Sequence, residues 1–106
     1  NRQVTFKVRI GAAAFDDVAR LFGHLVDRAR TAEDLALAHR ARDAMLDTLQ
    51  GLSASPFIYR KSGSSPFLRE MLIPFGRSGY VALFEIEDAE TVTVLAVRHQ
   101  LEDDYH

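Results

Sequence analysis

The chain has 106 residues, 47% of them hydrophobic and 26% charged, with no cysteine. That supplies one hydrophobic core, leaves no room for a second, and lies far from disordered or fibrous compositions; the lack of cysteine also excludes a disulfide framework, a thiolate nucleophile and any Cys-ligated metal. The formal charge of −2 is uneven, with +3 in residues 1–10, −2 in 11–52, +3 in 53–80 and −6 in 81–106, which allows a basic patch on a protein that is not itself basic.

From Val4 to Ile10, Val4, Phe6, Val8 and Ile10 alternate with Thr5, Lys7 and Arg9, the period of two that predicts a half-buried strand. Gly11 ends it. Between Ala12 and Arg28 the residues Phe15, Val18, Ala19, Phe22, Leu25 and Val26 recur at three- and four-residue spacings, predicting a helix. Asp16 and Asp17 near its start are read as compensating the helix dipole, and His24 and His39 as solvated groups on helix polar faces. Thr31 with Asp34 three residues on predicts a capped start for a second helix carrying Leu35, Ala38, Arg42, Met45, Leu49 and Leu52 at helical spacing. Ser53 to Pro66, broken by Pro56, Gly63 and Pro66, predicts a loop with a short extended piece at Phe57 to Tyr59. Three strands follow, at Leu68–Phe75, Tyr80–Glu87 and Thr91–Arg98, separated by turns at Gly76–Gly79 and Asp88–Glu90.

The expected architecture is therefore one α+β domain over residues 1–106, ordered strand, helix, helix, strand, strand, strand, with an antiparallel sheet packed on a helical hairpin. A hairpin of helices covers one face of such a sheet. Val81, Leu83, Val92, Val94 and Ala96 are expected on the other, where an apolar surface invites a partner. The longest apolar runs, such as Tyr80 to Phe84, are about a quarter of the roughly 20 residues a membrane helix requires. The numbering starts at Asn1 rather than Met, no signal-peptide pattern is visible, and a cytoplasmic location is expected.

The run from Leu68 to His106, LREMLIPFGRSGYVALFEIEDAETVTVLAVRHQLEDDYH, together with VTFKVRI and PFIYRK before it, resembles the RelE/ParE toxins of bacterial toxin-antitoxin pairs over nearly the whole chain. The resemblance implies a small α+β toxin that arrests growth until a cognate antitoxin, a small DNA-binding protein, wraps around it. It implies no cofactor. RelE-like members cut mRNA in the ribosomal A site and ParE-like members poison DNA gyrase, so the partners are the ribosome with mRNA, or gyrase.

Metal-free RNA cleavage needs a proton-transfer group, cations for the charge developing on phosphorus, and an acid for the leaving oxygen. On the nuclease branch the resemblance implies Arg69 and Arg98 as phosphate-stabilising cations, His99 as proton-transfer group and Tyr105 as base contact, with Arg60 and Lys61 as substrate-binding residues. Imidazole, with an ordinary pKa of about 6.5, transfers protons in both directions near neutrality. The spacing from Arg98 to Tyr105 fits RelE-like members, which makes mRNA cleavage the first expectation. Glu102, Asp103 and Asp104 beside the site repel RNA phosphates and argue for gyrase. A third reading is a non-toxic protein-binding module of the same fold. The plain alternatives for single residues are surface ion pairs for Arg69 and Arg98, a strand-end cap for His99, and no defined role for Tyr105. No metal site is expected, because the His99, Asp103 and His106 spacing lacks supporting residues.

Overall fold

The computed structural model describes residues 5–103. Strand β1 (Lys7–Ile10) is followed by helices α1 (Ala12–Arg28) and α2 (Ala32–Gln50), then β2 (Arg60–Lys61), β3 (Leu68–Phe75), β4 (Ser78–Ile86), β5 (Thr91–His99) and a final turn of helix, α3 (Gln100–Asp103). The strands form one sheet in the order β1-β5-β4-β3-β2. The α+β class and the order of the main elements are those expected, and Val4, placed in the first strand by its pattern, lies outside the described residues. No helix among the described residues is long and apolar enough to cross a membrane.

Three local readings change. The sheet is mixed rather than wholly antiparallel, because β1 runs parallel to β5, Lys7 facing Thr91 and Ile10 facing Val94. The two helices carry the chain back before the meander begins, so the last strand of the meander meets β1 pointing the same way. In the Ser-rich loop, Pro56–Ile58 is a short 3-10 turn, and the extended piece comes just after it as β2; Pro56 at the head of that turn has the φ it needs. The third change is a β-bulge in β5. Leu83 faces Ala96 while Phe84 faces Val94, so Leu95 is the extra residue. A bulge reverses the inward parity of everything beyond it. Val92 and Val94 therefore lie in the core before it and Val97 after it, all fully buried, and only Val81, Leu83 and Ala96 of the expected second-face group remain there.

The core forms where the α1 stripe of Ala14, Val18 and Leu21 and the α2 stripe of Ala41, Met45 and Leu49 meet Met71, Ile73, Ala82, Phe84, Ile86, Val92, Val94 and Val97 from the sheet. The start of α2 is capped as its sequence predicts: Thr31 Oγ1 accepts the Asp34 N–H at 3.0 Å and the Asp34 carboxylate accepts the Arg30 N–H at 2.9 Å. Asp17 has a different employment from the expected one. It lies beyond the first turn of α1, and its Oδ2 accepts the Val97 N–H at 2.9 Å, tying the helix to the strand just past the bulge. His39 is exposed but its ring meets the edge of Phe22 at 5.1 Å, while Arg42 lies 4.9 Å from the same ring, closing the outer side of the helical hairpin.

Candidate functional site

Arg69 shares the parity of Met71, Ile73 and Phe75 on β3, so its side chain enters the helix-facing side of the sheet, where it is 9% exposed. The segment from Pro56 to Pro66 passes over it with carbonyls that no ladder uses. Nε of Arg69 donates to the Pro66 carbonyl at 2.8 Å, and Nη1 donates to those of Phe57 at 2.9 Å and Tyr59 at 2.7 Å. The guanidinium also sits 5.2 Å from the centre of the Phe57 ring. A guanidinium has five N–H donors in a fixed fork, and three of them are spent on holding this loop.

Arg60 faces Glu70 across the β2–β3 ladder and meets it through Nε at 2.9 Å and Nη2 at 2.8 Å. Both groups are solvent-accessible, so the pair is worth under about 1 kcal/mol. Lys61, beside it at the sheet edge, is exposed. Arg98 lies opposite Val81, on the sheet face away from the helices, at a shallow cavity of about 150 Å³ lined with Ser62, Glu70, Val81, Leu83 and Ala96.

His99 is the next residue along β5, and successive strand residues face opposite ways. It lies across from Tyr80, with the two rings edge to face at 5.6 Å. Nδ1 of His99 accepts the Leu101 N–H at 3.1 Å, which requires a lone pair there and puts the proton of the neutral ring on Nε2, 3.2 Å from Ser78 Oγ. Nδ1 thus serves the junction of β5 with α3, and Nε2 faces the start of β4. Tyr105 and His106 lie outside the described residues. The expected catalytic residues are consequently divided, with Arg69 beneath a loop, Arg98 on the open sheet face and His99 on the other side.

What the structure brings together around His99 was not legible as a group. Arg20, His24 and Arg28 follow one another at four-residue spacing along α1, and they form one wall of a cleft of about 300 Å³ whose other wall is Tyr80, His99 and Leu101, over a floor of Leu21 and Leu25. His24 Nε2 lies 3.5 Å from Arg28 Nη1. The i, i+4, i+8 spacing is visible in the sequence, but only the fold sets it against β5.

Burial raises the Tyr80 phenol above its ordinary pKa of 10.0. As pH rises through 10.0 the unfolded chain loses this proton first, the folded state binds more protons, and stability falls. The contribution is fully present below that pH and is lost above it. The urea midpoint of the wild type is therefore expected to drop across this window more steeply than that of Tyr80→Phe, and equal slopes would show that Tyr80 is not the group responsible.

A family model described as the ParE toxin of the type II toxin-antitoxin system, parDE, matches residues 8–104. No curated protein is a significant sequence match. Among solved structures, the chain is similar to one from the chromosomal ParDE TA system of P. aeruginosa, with a TM-score of 0.69 and 14% identity over 92% of this chain and 98% of that one. At that identity the likeness speaks for the fold alone.

Proposed function

The chain belongs to the ParE toxin family of type II toxin-antitoxin systems, and on that premise we propose that it arrests growth by poisoning DNA gyrase through protein-protein contact. It acts in the cytoplasm, and a cognate antitoxin holds it in check. The observation that carries this reading over mRNA cleavage is the separation of the catalytic candidates. Metal-free cleavage needs a proton-transfer group and phosphate-binding cations within reach of one scissile bond. Here Arg98 and His99 lie on opposite faces of β5, and three donors of Arg69 go to backbone carbonyls.

A gyrase contact asks for less chemistry and more surface. The open sheet face has an apolar centre of Val81, Leu83 and Ala96, bordered by Arg98 and by Glu70 with its partner Arg60. An apolar middle with a polar, charged rim is the usual anatomy of a protein interface. The negative total charge suits a protein target better than ribosomal RNA.

The test is gyrase-catalysed supercoiling of relaxed plasmid in the presence of the purified toxin, beside primer extension on an mRNA with programmed ribosomes. The expected result is lost supercoiling with accumulation of cleaved plasmid, reversed by the antitoxin, and an intact transcript. Unchanged supercoiling together with cuts at the ribosomal A site overturns the proposal and returns attention to Arg98 and His99.

A further inference from the structure

At the other end of β4 from Tyr80, Phe57 and Phe67 stand 49% and 51% exposed beside Phe6, at 9%, and Ile86, at 4%. They line a groove of about 740 Å³ that is rimmed by Glu85, Glu87 and Asp88. Its residues take no part in the surface assigned to gyrase. Half-exposed phenylalanines normally keep some rotamer freedom, but the Phe57 ring is held in place and the backbone of Phe67 is fixed. The Phe57 carbonyl accepts from Arg69, its ring lies on the Arg69 guanidinium, and its other side meets the Phe6 ring at 6.4 Å and 67°. Phe67 donates its N–H to Ser65 Oγ at 3.2 Å, and its carbonyl accepts the Ile86 N–H at 2.8 Å. A buried arginine that fixes an exposed aromatic ring leaves less side-chain entropy for a partner to remove on docking.

The rim is equally committed. The Asp88 carboxylate accepts the Glu90 N–H at 2.8 Å, a bond that, with Thr91 contributing further, holds its pKa below the ordinary carboxylate value. Glu87 accepts from the Thr93 hydroxyl. Among the described residues no lysine or arginine lines the groove, so the three acidic groups border an aromatic trough. Such a rim repels phosphates and nucleic acid, and attracts cationic side chains from a protein.

We infer that this groove is the docking site for a segment of the cognate antitoxin that presents a bulky apolar side chain between lysines or arginines, the apolar group seated among Phe6, Phe57, Phe67 and Ile86 and the cations over Glu85, Glu87 and Asp88. The inference rests on the toxin-antitoxin reading and adds the address and the chemistry of the contact. It places the antitoxin's hold at the end of the sheet away from Arg98, with Glu85 reaching its rim from the same face as Val81 and Leu83, so that the aromatic trough can be altered without touching Val81, Leu83 or Ala96.

The test measures the affinity of the full-length toxin for its full-length antitoxin at two salt concentrations, for wild type, Phe67→Ala and the double variant E85K/E87K. All three substituted side chains are exposed or rim groups, and the urea midpoint checks that each variant keeps its fold. Phe67→Ala is expected to weaken binding about tenfold, as truncation of an interface anchor does. The double charge reversal is expected to weaken it by about 10–100-fold and to flatten its dependence on salt. Wild-type affinity in both variants overturns the inference, and so does a loss of growth arrest without loss of antitoxin affinity, which would assign the groove to the target. A wild-type toxin with no affinity for the antitoxin would overturn the premise instead of the groove.

Discussion

Arg69→Met should lower the stability of the fold by about 3 kcal/mol or more, measured as the shift in a urea unfolding curve. The substitution keeps the apolar length of the side chain and removes the donors. The carbonyls of Pro66, Phe57 and Tyr59 then lie over an apolar group, and an unmade bond to a buried polar atom costs about 1–3 kcal/mol. The contact with the Phe57 ring adds about another 0.5–1 kcal/mol. Arg69→Lys should recover only part of this, because a single ammonium cannot reproduce the planar fork. Growth arrest should fall in step with stability in the two variants. If Arg69→Met unfolds like the wild type yet loses all toxicity, the side chain acts in chemistry and the loop-clamp account is wrong.

Gly79→Ala should be at least as costly, and for a backbone reason. Gly79 has φ +144°, and a Cβ built there would lie 2.3 Å from the Ile73 carbonyl oxygen and 3.1 Å from the Phe75 nitrogen. These are backbone atoms of the facing strand in a tight hairpin, where Gly79 sits opposite Pro74, so no side-chain rotation relieves the overlap. The backbone conformation itself is one that residues with a Cβ seldom adopt. Strain of this kind costs about 1–3 kcal/mol before the clash is counted, and a variant recovered mainly as insoluble protein is the expected outcome. Gly23→Ala is the matched control: a Cβ there meets nothing within 4 Å, the position is inside α1, and the change should stabilise by about 0.5–1 kcal/mol through helix propensity. Two glycine-to-alanine changes of the same sign would refute the steric argument.

Much of this was legible in the sequence. The alternation in residues 68–75 and 80–86 and the helical stripes before them lead directly to the observed strands and helices, and Thr31 with Asp34 marks a cap that forms. The same alternation also held information about the site. Arg69 has the parity of Met71 and Ile73, which already turns it inward, and Arg98 and His99, as neighbours on a strand, already face apart. What the pattern could not supply was geometry between distant segments. The bulge at Leu95 has no local marker such as glycine, so the inward set changes from Val92 and Val94 to Val97 without notice. The pairing of Asp17 with the Val97 amide, the assembly of Arg20, His24 and Arg28 opposite His99, and the groove around Phe57 and Phe67 all depend on packing that no window of a few residues contains.

The parallel pairing of β1 with β5 also sets an order of events. β3, β4 and β5 are joined by tight turns and close with little loss of chain entropy, whereas β1 waits for a strand from the far end of the chain before Lys7 can meet Thr91. Contacts of such long sequence separation form late and slowly. During synthesis Val8 and Ile10 leave the ribosome first, yet they find their neighbours only after Val92 and Val94 have emerged, with the rest of the sheet already able to assemble. Until that moment the flank of β5 is an open strand edge beside a growing chain, a template for a second nascent copy, and the N-terminal strand is the last piece to shut it.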